Sequence, residues 1–255
     1  MRLSQATWLE LTPNLFYEVM TAHGAGMVGI SGLAASGVIW YFLRRYVDLS
    51  VGILWTNLAF FLLGVVLILG GIFLGNYAGG WTFLFPLPGT SAGVWGPAGA
   101  ASYLFGLLSI GVGFLLLYLD FARAIMARYG SLAKALGWPQ LFRNSDDEAP
   151  PPTVVAATMV LIVNIAGILS GAVVLALILV NLFAPQFAVD ALLTKNLTYF
   201  FGHVFINATI YQALVAVYEI LPVPPRRHGF LGGAPGKRAR FGSPALGGAF
   251  AGVGG

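Results

Sequence analysis

Five apolar runs, each long enough to cross a lipid bilayer, constrain this chain more than any other feature. They fall at about Leu15–Leu43, Val51–Leu74, Pro97–Leu119, Thr153–Phe183 and Asn196–Leu221. A helix needs ~20 mostly apolar residues to span the hydrocarbon core, whereas a barrel strand needs ~10 of alternating character. In lipid the backbone must satisfy its own hydrogen bonds, and a helix does so within one segment. Composition agrees, with 58% of the 255 residues hydrophobic, 9% charged and a mean hydropathy of +0.84. A soluble domain carries about 25% charged residues. The expected fold class is all-α, a polytopic transmembrane helix bundle of about five spans. The spans are not copies of one another, so a repeat-built transporter has no support.

The connections sort by charge. Arg44 and Arg45 follow the first run, and Arg123, Arg128, Lys134 and Arg143 follow the third. Arg226, Arg227, Lys237, Arg238 and Arg240 follow the fifth, while the alternate side holds Arg2 and Lys195 alone. That asymmetry places the basic loops in the cytoplasm, so the first and fifth runs enter from the outer face. The pI near 9.5 therefore reports topology, and no nucleic-acid partner is implied. Beyond Pro222 the composition changes to a Gly/Pro/Arg-rich tail that cannot form a packed core. The expected organisation is a bundle over 1–222 and a disordered or artefactual tail over 223–255.

Polar residues inside the runs point to function, because such groups are costly in hydrocarbon. The fifth run carries His203, Asn207, Tyr211, Tyr218 and Glu219, and the first carries His23. With no cysteine in the chain, disulfides and thiolate-held metals within it are excluded, and histidine is left as the soft-metal ligand. By their distance from the start of their runs, His23 and His203 fall at one depth, ~10–12 Å below the outer face. Two imidazoles at one level suggest a buried cofactor layer. Either alone could equally hydrogen-bond a neighbouring helix. Gly24, Gly26, Gly29 and Gly32 clear space beside His23, either for helix packing or for a flat macrocycle. Asn57, Asn164 and Asn181 read as interhelical hydrogen bonds, Glu18 as a wet residue near the outer entrance, and Asp120 with Arg123 as an i,i+3 pair. Glu219, at a helix end, reads as a solvated charge or as a collector of protons.

Three motifs carry a family resemblance. Thr21-Ala22-His23-Gly24 resembles the T-x-H-G segment of haem–copper oxygen reductase subunit I, whose histidine binds the low-spin haem. Gly80-Trp81-Thr82-Phe83 with Pro86-Leu87 is similar to that family's outer W-T-x-Y-P-P-L loop, and Phe201-Gly202-His203 resembles the F-G-H that gives one histidine to copper. They occur in the family's order, and the resemblance covers about Leu11 to Pro222, corresponding to the second to sixth helices.

The resemblance implies a terminal oxidase that reduces O2 to water at a haem–copper centre, coupled to proton uptake. Its cofactors would be low-spin and high-spin haem and copper. Its partners would be other oxidase subunits, membrane lipid, O2, and cytochrome c, a small redox protein or quinol as electron donor. It makes His23 an axial haem-iron ligand, His203 a copper ligand, Tyr218 a proton-path residue as in the B-type branch, and Tyr211 and Glu219 further candidates for proton handling. The expected location is a prokaryotic plasma membrane, with the histidine-bearing ends toward the outer face.

Departures accompany the match. The family's cross-linked tyrosine position is Asn207, the helix has Val204-Phe205-Ile206 where a glutamate stands in the H-P-E-V-Y type, and Leu84-Phe85 replace Tyr-Pro. Four further metal-binding histidines implied by the family have no counterpart, since the chain has three histidines and the third, His228, follows Pro222. The chain alone is thus expected to be an inactive fragment. The alternatives are a nitric oxide reductase of the same superfamily, or a transporter or channel subunit without haem.

Overall fold

The computed structural model describes residues 11–81, 89–91, 93–143 and 148–221. The tail with His228, Arg2, and Thr82 to Pro88 of the tryptophan loop lie outside them. The described residues form seven helices and no strand: α1 (Pro13–Leu43), α2 (Val51–Phe73), α3 (Pro97–Tyr129), two short turns α4 (Leu132–Ala135) and α5 (Trp138–Phe142), α6 (Pro152–Phe183) and α7 (Ala191–Ile220). The five long ones have the length and apolarity to cross a membrane.

Their ends follow from local chemistry. Thr12 caps α1 by accepting from the Leu15 amide, and Pro13 takes the first turn, where no amide donor is needed. Ser50 and Asp190 cap α2 and α7 in the same way. Helix α3 runs past Leu119 and stops at Gly130, whose φ of 80° is left-handed.

Helices α2 and α3 form an antiparallel pair joined along a glycine seam. A Cβ at Gly106 would lie 2.7 Å from the Gly64 carbonyl, and one at Gly71 would lie 2.7 Å from the Gly99 carbonyl. In lipid, where apolar side chains gain nothing by leaving solvent, close backbone approach is a main source of helix association. Helix α3 packs on α6, α6 on α7, and α7 on α1. A core of Leu43, Phe114, Leu117, Phe121, Val154, Phe205 and Val215 fills the middle.

Helices α1 and α7 run parallel. Gly32 meets Phe205, Ser36 bonds Gln212, and Arg45 pairs with Glu219, in the same order along both. One end of the bundle therefore gathers Arg45, Tyr46, Asp120, Arg123, Thr153 and Glu219.

Several sequence expectations are resolved at this level. Asp120 and Arg123 do pair, at 2.6 Å, and Asp120 also accepts the Ser50 amide at 2.9 Å, tying α3 to the start of α2. Glu18 is not wet. It is buried at 6% exposure and accepts from Asn14 one turn earlier. The interhelical role expected for two asparagines fails: Asn181 donates to the Phe187 carbonyl just beyond its own helix, and Asn57 packs against Gly113 with no hydrogen-bond partner. Asn164 lies beside the Tyr118 hydroxyl without reaching hydrogen-bond geometry.

Candidate functional site

The first two sequence motifs meet in space. Thr21 is fully buried. Its hydroxyl donates to the Tyr17 carbonyl at 2.7 Å and accepts the Gly80 amide at 3.1 Å. Gly80 sits at φ 86°, a left-handed conformation that lets the chain turn back onto α1. The next residue, Trp81, lays its indole over Gly24, where any Cβ would collide with the ring. The loop after α2 is thus seated on the single turn of α1 that carries His23.

His23 itself is exposed, on a stripe with Val19, Met27, Ile30, Ala34 and Tyr41. Beside it, a Cβ at Gly26 would meet nothing within 4 Å. Gly29 and Gly32, by contrast, accommodate Phe61 and Phe205, so these two glycines serve packing.

His203 is also exposed. Its ring lies 4.6 Å from that of Tyr199, in a shallow groove of about 490 Å³ that Lys195, Asn196, Phe200 and Val204 also line. Asn207, Tyr211 and Tyr218 are exposed on the same face of α7, because positions 203, 207, 211 and 218 fall within about a quarter-turn of arc at 3.6 residues per turn. The enclosure expected of both imidazoles is therefore absent within the described residues. Both rings stand on uncovered helix faces, one of them polar along most of α7.

The expected common depth also needs adjustment. Ser36 stands thirteen positions past His23, and its partner Gln212 nine past His203. At 1.5 Å per residue, His203 lies about 6 Å further along the shared helix direction, roughly one turn deeper.

At the opposite end, Glu219 is not the solvated charge that a helix terminus suggests. Its side chain is 12% exposed. It accepts from the Tyr46 hydroxyl at 2.9 Å and from Thr153, and pairs with Arg45 at 3.7 Å. Neighbouring Tyr218 points outward at 59% exposure.

A second polar cluster was missed by motif reading. Ser36 donates to Gln212 Oε1 at 3.0 Å, Gln212 Nε2 donates to the Tyr118 hydroxyl at 2.6 Å, and Tyr118 lies 3.3 Å from the Ser36 hydroxyl. Each member can donate once and accept once, closing a ring across α1, α3 and α7. The usable signal was the same one that marked His203, a polar residue in the middle of an apolar run.

These features define a multi-pass membrane bundle with two metal-capable side chains near one end. The chain matches the family described as cytochrome c and quinol oxidase polypeptide I over residues 1–231, and it belongs to that family. No curated protein and no solved structure matches it. Members of the family bind haem and copper and work in complexes with other subunits. The residues present fit one of these groups better than the other. A lone histidine on an apolar stripe, with open space over Gly26, suits an axial ligand beside a flat macrocycle. Among the described residues no three His, Cys, Asp or Glu side chains converge, so His203 does not make a copper site by itself.

Proposed function

We propose that this chain forms part of the catalytic subunit of a terminal oxidase that reduces O2 to water, with His23 as an axial ligand of low-spin haem iron. The observation that carries the reading is the seating of the Gly80–Trp81 turn on Thr21 and Gly24, beside His23. Two separate sequence motifs of the family thereby become one structural unit around the proposed ligand. When bound, haem and copper supply electron storage and oxygen chemistry.

The chain's own residues orient and deliver. His23 presents its imidazole from the turn of α1 on which Gly80 and Trp81 are seated. His203 offers a single copper ligand, and the remaining ligands come from polypeptide outside the described residues. The exposed α7 face with His203, Asn207, Tyr211 and Tyr218 is the surface open to those ligands. Tyr218 lines a proton path from the cytoplasmic end, as in the B-type branch. Glu219 orders that entrance, and Tyr211, two turns past His203 on the same face, is a further candidate for proton handling. Electrons come from cytochrome c, a small redox protein or quinol. The basic loops face the cytoplasm of a prokaryotic cell, and the histidine-bearing end faces outward.

Expression in membranes, followed by Soret spectroscopy and haem and copper analysis, tests this. A haem band that disappears in His23→Ala is expected, with neither stoichiometric copper nor oxygen consumption from this chain alone. A haem-free preparation would favour a transporter or channel subunit, and oxygen consumption would overturn the incomplete-site reading.

A further inference from the structure

The Thr21 hydroxyl does two things at once. Donation to the Tyr17 carbonyl fixes its rotamer, which leaves a lone pair aimed across the bundle at the Gly80 amide. A hydroxyl has one donor and two acceptor sites, so both bonds are compatible. Thr21 is fully buried, and among the described residues its hydroxyl is the acceptor of the Gly80 amide. Two residues before His23 and one after it, α1 is therefore gripped from the same side: by a hydrogen bond at Thr21 and by the Trp81 indole over Gly24.

We propose that Thr21 is a positioning residue that docks the α2–α3 loop onto the His23 turn and thereby holds the imidazole in its ligating orientation. The role rests on the reading of His23 as a haem ligand, but the docking itself does not. Thr21 touches neither metal nor substrate. It acts through the backbone of α1, where rotation of one turn by a few tens of degrees would swing the His23 ring off an axial position. Valine at 21 keeps the shape and removes the acceptor, and serine keeps the acceptor and removes the methyl group.

The experiment uses the full chain in lipid nanodiscs, as wild type, Thr21→Val, Thr21→Ser and His23→Ala. Hydrogen exchange of the peptide containing Gly80 is read first. Iron protoporphyrin IX is then titrated, and the histidine-ligated fraction is read from the Soret band of the reduced, five-coordinate haem that a single imidazole gives. In Thr21→Val the Gly80 segment is expected to exchange at least about tenfold faster, since a half-buried amide loses its partner, and the histidine-ligated fraction to fall severalfold while porphyrin still binds. Thr21→Ser should restore both. Unchanged exchange and an unchanged histidine-ligated fraction in Thr21→Val overturn the proposal, as does a Thr21→Ser variant that behaves like Thr21→Val. If wild type and His23→Ala take up porphyrin alike, the haem reading fails instead, and the docking role stands or falls on the exchange data.

Discussion

Ser36 donates its hydroxyl proton to Gln212 Oε1 across 3.0 Å, and this one bond sets the register of α1 against α7. Both side chains are essentially unexposed, and Tyr118 closes the ring from α3. Sliding either helix by a turn would leave three buried polar groups unpaired. Removing Gln212 should therefore cost more than a typical interhelical bond in lipid, which averages ~0.6 kcal/mol. Gln212→Leu is expected to destabilise the bundle by about 1–3 kcal/mol, the range for stranding buried partners. Reversible unfolding in mixed detergent measures it. The Ser36→Ala, Gln212→Leu double variant should lose less than the sum of the singles, and additive losses would show that the ring does not act as a unit.

That ring marks where sequence reasoning stops. The five spans were legible because apolar length is a local property. Thr12 and Ser50 cap helices at the starts of their runs, whereas α7 begins behind Asp190, ahead of the Asn196 expected for the fifth run. Asp120 and Arg123 were legible for the same reason, being one turn apart. Glu219 was not, since its partners Tyr46 and Thr153 lie on α1's trailing turn and on α6, far away in sequence. Thr21 and Gly80 were each visible within a motif, but nothing in either motif says that one accepts from the other. The stagger between His23 and His203 was likewise hidden, because distance from a helix start is a poor measure of depth when the helices begin at different levels.

Glu219 makes a pH-dependent prediction through Tyr46, which lies in the loop outside the spans. Burial, then the hydrogen bond to the Glu219 carboxylate and its negative charge, push the Tyr46 phenol up to about 12 from an ordinary value of 10.0. A raised value means that the folded state favours the neutral phenol. The associated stability is fully present below pH 10 and is lost as pH rises toward 12. Tyrosinate absorbance, taken as the difference between wild type and Tyr46→Phe, should show this late titration. Glu219→Gln should bring it to lower pH, because the amide keeps an acceptor but removes the charge. An unmoved titration would leave burial as the whole cause.

The α2–α3 seam is the most sterically exacting part of the bundle. At Gly106 a Cβ would meet the Gly64 carbonyl at 2.7 Å and the Ile68 amide at 3.0 Å, backbone atoms that cannot rotate away. Gly106→Leu must push two helices apart, and overpacking of this kind typically costs 1–3 kcal/mol or more. The loss should appear as sensitivity to protease and broadened size-exclusion profiles. Gly111→Leu on the same helix, where a Cβ meets nothing within 4 Å, is expected to be silent in both assays.

Alanine at Gly24 and at Gly26 separates packing from ligand space on either side of His23. At residue 24 the new methyl collides with the Trp81 indole. Gly24→Ala should therefore release the loop, and the emission of Trp81 should shift to longer wavelength as its ring moves into the interface. At residue 26 the methyl meets no protein atom, and replacing a helical glycine by alanine gains about 0.5–1 kcal/mol. Gly26→Ala should accordingly unfold at higher denaturant than wild type. If a flat macrocycle occupies the open side of His23, the same methyl intrudes upon it, so porphyrin affinity should fall while apoprotein stability rises. Stability and affinity rising together, or affinity staying constant, would place the macrocycle elsewhere and leave Gly26 as an ordinary lipid-facing glycine.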